Sequence, residues 1–130
     1  MSAQPEIQLA VRSAIAELED EYETVSWSPD GAGGAYVTVG PVTFGDRWSP
    51  SSGSLEVAVA YNYPYVPIYP FYTDAILTRV DGTSVAALQR VVWRGREVTQ
   101  VSLRTRRWEP AHDTVSTAFR MAEHWFQIVA

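Results

Sequence analysis

Apolar residues recur every three or four positions near the start of the chain, between residues 5 and 22. This spacing places them along one side of a helix. The residues concerned are Ile7, Ala10, Val11, Ala14, Ile15, Leu18 and Tyr22. The opposite side carries the acidic residues Glu17, Glu19, Asp20, Glu21 and Glu23. Because Pro5 also suits a first helical turn, we predict an amphipathic helix over residues 5–22 with an acidic outer face.

The period of the pattern changes to two after this helix. Short strands are predicted at residues 24–27 and 35–39, on either side of a connector rich in glycine, with the sheet continuing at 42–44. A loop is predicted at 45–53. The next strand, residues 54–61, has one apolar face formed by Leu55, Val57, Val59 and Tyr61.

Residues 63–70 contain three prolines, at positions 64, 67 and 70. Proline has no backbone N–H and a fixed φ, so this segment is not predicted to be a central strand. We predict an irregular, extended arm whose tyrosines pack over the sheet.

The region after the arm returns to strand character at residues 71–77. A turn is predicted at Asp81-Gly82 and a short helix at 84–89. Arg94-Gly95 is typical of a two-residue hairpin turn between the strand segments 91–93 and 97–103.

A final helix is predicted after Asp113, which is a suitable N-cap residue. Its apolar stripe consists of Val115, Ala118, Phe119, Ala122, Phe126 and Val129. The order of the elements predicts a single α+β domain over residues 1–130. This order is helix, antiparallel meander, irregular arm, hairpin and final helix.

Composition narrows the class of protein. With 130 residues, 46% of them apolar, the chain suits one globular domain. No apolar run approaches the ~20 residues of a membrane span, and no signal-peptide pattern opens the chain, so we expect a cytoplasmic protein that does not act at membranes. The chain has no cysteine, which excludes disulfides, thiolate metal sites and sulfur-based covalent chemistry. With two histidines and no clustered carboxylate, we expect neither a metal nor a cofactor.

Two short motifs resemble the ubiquitin-conjugating (UBC) family. Tyr63-Pro64-Tyr65-Val66-Pro67 is similar to the family's Tyr-Pro-Phe-x-Pro-Pro segment, and Trp108-Glu109-Pro110-Ala111 is similar to its Trp-Ser-Pro-Ala motif. The resemblance implies a UBC-like domain in which Tyr63, Pro64, Pro67, Trp108 and Pro110 are architectural, with Trp108 largely buried. The single helix after the second motif is similar to the family's cysteine-less variants and to compact conjugating-enzyme-like proteins of bacterial ubiquitin-like operons.

The chain departs from the family at the residues that carry its chemistry. No His-Pro-Asn tripeptide follows Thr73, and Val101-Ser102-Leu103 stands where the family has Ile-Cys-Leu. We therefore expect no catalytic residue and a non-covalent binding role. One alternative is an active conjugating enzyme whose cysteine is replaced by Ser102, with His112 as the nearest candidate base. Another is a structural or interaction domain unrelated to ubiquitin-like chemistry.

Charge indicates where partners bind. Residues 1–60 hold nine acids and two arginines, and residues 79–107 hold seven of the ten basic residues, all of them arginine. We expect two binding surfaces of opposite sign, formed by Glu17, Asp20 and Glu21 and by Arg94, Arg96, Arg104 and Arg106. The resemblance implies a ubiquitin-like protein, an activating enzyme or an active conjugating enzyme as partner, and a hetero-oligomer with one of them. The net charge of −5 argues against nucleic acid.

Overall fold

The computed structural model describes residues 7–103 and 107–128. In this part of the chain eight strands lie between two helices, and this order agrees with the predicted α+β class. In chain order they are α1 (Leu9–Glu21), β1 (Thr24–Pro29), β2 (Ala35–Thr43), β3 (Trp48–Ser49), β4 (Ser52–Val59), β5 (Phe71–Thr73), β6 (Thr78–Arg79), β7 (Leu88–Trp93), β8 (Arg96–Val101) and α2 (Val115–Ile128).

Six strands form one antiparallel sheet in the order β1-β2-β4-β5-β8-β7. A bulge between Val39 and Val42 interrupts the register of β2 with β4. The predicted hairpin is confirmed, since Arg94 and Gly95 connect β7 to β8 and both have positive φ angles, of 53° and 80°. Positive φ at both central positions is the requirement of a type I′ turn, whose twist matches that of the strands.

The two faces of this sheet bury different groups. Val37 of β2 and Leu55 of β4 point toward the helices and join one core with Leu18 of α1 and Phe119 of α2. The alternate positions of the same strands point the other way. On that outer face Glu56 is buried, and the hairpin covers it.

The helix boundaries differ from the prediction. Helix α1 begins at Leu9 rather than residue 5 and ends at Glu21, and Pro5 lies outside the described residues. Asp113 is not the N-cap of α2, because Thr114 fills that position. Thr114 Oγ1 accepts from the N–H of Thr117 (3.3 Å), and Thr117 Oγ1 accepts from the N–H of Thr114 (2.9 Å), which is a reciprocal capping arrangement.

One strand prediction was wrong in extent, and one helix prediction was wrong. Strand β5 stops at Thr73 rather than residue 77, because Thr73 Oγ1 accepts from the N–H of Ala75 (3.3 Å) and turns the chain. Residues 84–89 form no helix. A single turn from Val85 to Leu88 leads into β7, whose ladder with β8 outweighs a helix too short to be stable alone.

The predicted loop at 45–53 contains a core residue that the pattern did not reveal. Trp48 is only 2% exposed and its indole N–H donates to the carbonyl oxygen of Phe126 (2.9 Å). Ring contacts with Trp125 and Phe126 surround it. This side chain therefore fixes the C-terminal part of α2 against the β3–β6 pair.

Candidate functional site

The two sequence motifs meet in space and are joined by hydrogen bonds. Trp108 Nε1 donates to the carbonyl oxygen of Pro64 at 2.7 Å, and the N–H of Val115 donates to the hydroxyl oxygen of Tyr63 at 2.8 Å. Burial raises the pKa of the Tyr63 hydroxyl, and the Val115 N–H partly opposes this rise. The proline-rich arm is thereby attached to the N-terminus of α2.

The burial of the arm and of Trp108 differs from the prediction. Trp108 is half-buried rather than largely buried, while Pro67 and Pro110 are exposed. Tyr63 is the one tyrosine of the 63–70 segment that is buried, whereas Tyr65 is 76% exposed. The arm is irregular as predicted, but two of its three tyrosines, Tyr65 and Tyr69, are exposed.

A groove of about 240 Å³ lies beside this junction. The half-buried ring of Trp108 forms part of its wall, together with Pro67, Ile68, Leu103 and Met121. The partial exposure of Trp108 therefore has a structural reason, because one side of the ring borders this space.

Ser102, the residue in the expected cysteine position, follows the last residue of β8. Its N–H donates to the carbonyl oxygen of Ala87 at 2.8 Å, which extends the β7–β8 ladder by one pair. Its hydroxyl oxygen accepts from Gln100 Nε2 at 2.8 Å. Within the described part of the chain, no histidine hydrogen-bonds to this hydroxyl. Ser102 is thus half-buried beside a neutral amide, an environment that does not activate an alcohol.

The histidines and carboxylates do not form a metal site in the described ranges. His112 and His124 are both exposed, and no group of three or more His, Asp or Glu side chains among residues 7–103 and 107–128 could hold a metal ion. The same residues contain no helix long and apolar enough to cross a membrane.

Two of the predicted binding arginines contact a single buried carboxylate. Arg94 donates to Glu56 Oε2 at 2.6 Å, and Arg96 donates to Glu56 Oε1 and also to Asp74. The side chain of Glu56 is 7% exposed, whereas those of Arg94 and Arg96 are 36% and 39% exposed. The charges of these two arginines are therefore largely compensated within the domain.

Aromatic rings complete this cluster on the outer face of the sheet. Tyr72 stacks on Trp93 with centroids 3.8 Å apart, and the Arg94 guanidinium lies 3.8 Å from the centroid of Tyr36. Burial, and secondarily the Glu56 charge, raises the pKa of Tyr72. We call the set Tyr36, Glu56, Tyr72, Trp93, Arg94 and Arg96 the hairpin cluster. The sequence pattern gave no signal for this cluster, because Glu56 lies on the side of the 54–61 strand opposite its apolar face.

The acidic face of α1 divides into two groups in the structure. Glu17 Oε1 accepts from the N–H of Ser116 (3.4 Å), and Glu21 forms an ion pair with Arg120 at 2.9 Å. Asp20 is exposed, as are Glu19 and Glu23. Two of the three predicted acidic residues thus contact α2, and the third faces solvent. Arg104 and Arg106 lie outside the described residues.

An N-terminal helix, an antiparallel sheet and a C-terminal helix are consistent with the class of E2-like domains, where E2 denotes a ubiquitin-conjugating enzyme. The family model described as Prokaryotic E2 family E matches residues 12–129. The chain therefore belongs to this family, and the family implies interaction with proteins of a ubiquitin-like pathway in general. Searches of the curated proteins and of the solved structures gave no match.

Proposed function

We propose that this E2-like domain acts without a thioester of its own and binds a ubiquitin-like modifier, or a partner enzyme of the pathway, non-covalently. The observation that carries the proposal is a chain matched to an E2 family over residues 12–129 that contains no cysteine. Thioester formation requires a thiolate nucleophile. The domain would then contribute its fold and its surfaces to conjugation rather than the chemical step.

The surroundings of Ser102 support the same proposal. An alcohol reacts near neutral pH only when an adjacent base removes its proton. The amide nitrogen of Gln100, which donates to Ser102 Oγ, is not a base. A covalent role for Ser102 would need a base from a partner.

The exposed acids of α1, together with Glu23 just after the helix, are the surface that we assign to partner binding. Glu19, Asp20 and Glu23 are exposed, whereas Glu17 and Glu21 contact α2. Opposite charges raise the association rate of two proteins more than they raise affinity. We therefore expect a partner with a basic patch. Because activation of such modifiers consumes nucleotide, we place the complex in the cytoplasm.

The test combines the purified chain with a candidate modifier, its activating enzyme and ATP. We expect a complex that is stable in native separation and no covalent product on a denaturing gel. Two variants serve as controls: Ser102→Ala, which keeps the binding surfaces, and Ser102→Cys, which supplies a thiol.

Three outcomes would contradict the proposal in different ways. A base-labile adduct that disappears in Ser102→Ala would show that the serine is a nucleophile. A reducible adduct gained in Ser102→Cys would support an enzyme whose cysteine has been replaced. The absence of any complex with any pathway protein would favour a structural domain.

A further inference from the structure

The six-stranded sheet has two free edges, β1 and β7, and they differ in chemistry. Strand β1 reads Thr-Val-Ser-Trp-Ser-Pro and carries no charge. Its register with β2 is regular over all six pairs. An uncharged, regular edge strand presents unpaired N–H and C=O groups that another strand can bind.

The hydrogen-bond pattern shows which residues of β1 point outward. The N–H of Asp30 donates to the carbonyl oxygen of Gly34 at 3.0 Å, at the closed end of the β1–β2 hairpin. In an antiparallel ladder the direction alternates from one residue to the next. Ser28 and Ser26 therefore face β2, whereas the backbone groups of Val25 and Trp27 face away from it.

The outward backbone groups of Val25 and Trp27 are accessible to another strand. Within residues 7–103 and 107–128, the outward N–H and C=O groups of Val25 and Trp27 have no hydrogen-bond partner. The side chain of Trp27 is 40% exposed. Val25 and Trp27 also lie on the same face of the strand, so an added strand would find two free backbone positions and an apolar contact.

The other edge strand, β7, is hindered at two of its three outward positions. Ser102 donates to Ala87, so by the same alternation the backbone groups of Leu88, Arg90 and Val92 face outward on β7. The N–H of Leu88 is already bonded to the carbonyl oxygen of Val85 at 3.0 Å. Arg90 is a charged residue of this edge strand, and its guanidinium donates to Thr99 Oγ1 (2.9 Å) and to the carbonyl oxygen of Ala75 (3.2 Å) and lies 3.7 Å from Glu97. A charged side chain on an edge strand hinders the addition of another strand.

The charges at the ends of β1 indicate what kind of strand fits. Glu23 precedes the strand and is exposed. Asp30 follows the strand and is half-buried, and its Oδ1 accepts from the N–H groups of Ala32 (2.7 Å) and Gly34 (3.0 Å). Antiparallel pairing with a second copy, centred on Trp27, would place Glu23 of each copy opposite Gly31 of the other, one residue from Asp30. Each copy also has a net charge of −5. Like charges at both ends disfavour self-association, whereas basic ends on a partner strand would match.

We propose that β1 accepts an extended segment of a partner protein, whose centre alternates apolar and uncharged residues and whose ends are basic. The segment would add a seventh strand to the six-stranded sheet beside β1. Backbone hydrogen bonds to Val25 and Trp27 would provide affinity, and Glu23 with Asp30 would select the charge of the ends. This docking site is independent of whether the domain carries a thioester.

The test uses a labelled synthetic peptide that alternates valine and threonine and has an arginine pair at each end. A matched peptide has glutamate pairs instead. We expect saturable binding of the arginine-ended peptide to the full chain, with NMR shifts at the backbone amides of Val25 and Trp27. The glutamate-ended peptide is expected to bind at least tenfold more weakly, since its ends repel both flanking carboxylates.

Two variants of one residue isolate the backbone contribution. Trp27→Thr and Trp27→Pro both remove the indole ring, but only proline removes the outward N–H. An edge position tolerates proline when its N–H faces solvent. We expect Trp27→Pro to bind the peptide about tenfold more weakly than Trp27→Thr, the effect of one backbone hydrogen bond. If Trp27→Pro does not fold, the variant Glu23→Arg tests the proposal instead. We expect Glu23→Arg to shift the binding preference of the chain toward the glutamate-ended peptide.

Several results would overturn the proposal. These are no saturable binding, equal binding by the two Trp27 variants, shifts confined to β7, or a peptide preference that Glu23→Arg does not alter. A concentration-dependent dimer of the chain that Trp27→Pro abolishes would also overturn it, because a second copy would then occupy the edge.

Discussion

The indole N–H of Trp108 donates a hydrogen bond of 2.7 Å to the carbonyl oxygen of Pro64, 44 residues earlier in the chain. The proline-rich arm lies outside the ladder of the sheet, so its carbonyl groups need other donors. Tyr63, next to Pro64, makes the second link by accepting from the N–H of Val115. The two motifs thus support each other, and each provides a hydrogen-bond partner that the other lacks.

Removing the indole donor should weaken the domain. We expect Trp108→Phe to lower the free energy of unfolding by about 1–2 kcal/mol, because the carbonyl oxygen of Pro64 loses its donor while most of the ring contact remains. Trp27→Phe is the matched control, since the indole of Trp27 makes no hydrogen bond within the described ranges, and it should change stability by less than about 0.5 kcal/mol. Urea unfolding measures both variants. Equal losses would contradict a specific role for the bond to Pro64.

The hairpin cluster should depend on the charge of Glu56. Glu56→Gln leaves Arg94 without a carboxylate partner and leaves Arg96 with Asp74 alone. Breaking a fully buried pair costs about 3–5 kcal/mol, and the partial exposure of both arginines reduces this to about 1–3 kcal/mol.

A matched control for this change lies on the same hairpin. Glu97 is 76% exposed and lies 3.7 Å from Arg90. Glu97→Gln should change the free energy of unfolding by less than about 0.5 kcal/mol, since exposed ion pairs contribute little. Denaturant unfolding compares the two. If Glu56→Gln is as mild as Glu97→Gln, the hairpin is held by its aromatic contacts alone.

Stability should fall in alkaline solution, and Tyr22 should account for part of the decline. Its hydroxyl donates to Glu123 Oε1 at 2.6 Å, and burial, followed by this hydrogen bond, raises the pKa of Tyr22 above its usual value of 10.0. A raised pKa in the folded state gives stability that is complete below about pH 10 and is lost as pH rises toward that higher pKa.

The variant Tyr22→Phe tests this pH dependence. At pH 7 it should lose about 1.5–3 kcal/mol, the contribution of a hydrogen bond to a charged group. Above pH 10 its stability should decline less steeply than that of the unchanged protein, because one of the tyrosines with a raised pKa is gone. The exposed Tyr65 provides a control, since Tyr65→Phe should retain the original slope. Unfolding curves recorded at several pH values give the free energy of unfolding as a function of pH. Equal slopes for Tyr22→Phe and the unchanged protein would contradict the role of Tyr22.

The sequence predicted those elements whose signal is local. The stripe in α2 and the Arg94-Gly95 turn each depend on neighbouring residues, so periodicity and turn chemistry were sufficient. The prolines of residues 63–70 likewise excluded a regular strand. The order of these elements then led to the correct α+β class.

Features that depend on distant residues were not predictable in this way. Glu56 is buried because Arg94 and Arg96, some 40 residues later, reach it across the sheet. Trp48 is buried because Phe126 offers a carbonyl oxygen 78 residues away. Nothing in the local pattern separates such residues from solvent-facing ones. For the same reason, the division of the acidic helix face into a part that contacts α2 and an exposed part became apparent only in the fold.

The exposed part of that face leads to a prediction about partner binding. Asp20 is exposed on α1, and Asp46 is an exposed acid of the same type between β2 and β3. Asp20→Arg and Asp46→Arg alter the net charge equally, so a difference between them reports position rather than total charge. We expect Asp20→Arg to slow association with the pathway partner several-fold and Asp46→Arg to leave it nearly unchanged. Reversal at an exposed site should leave the free energy of unfolding within about 0.5 kcal/mol.

Salt provides the second arm of this test. Steering by exposed charges is screened over roughly 8–10 Å near physiological ionic strength. The association rate of the unchanged protein should therefore fall as salt is added. The difference in rate between the unchanged protein and Asp20→Arg should also become smaller, because salt screens the attraction that Asp20 provides and that the variant lacks. Stopped-flow or surface-based kinetics at several salt concentrations measure both effects. If the rate is insensitive to Asp20→Arg at low salt, the acidic face of α1 does not steer the partner, and the docking surface lies elsewhere.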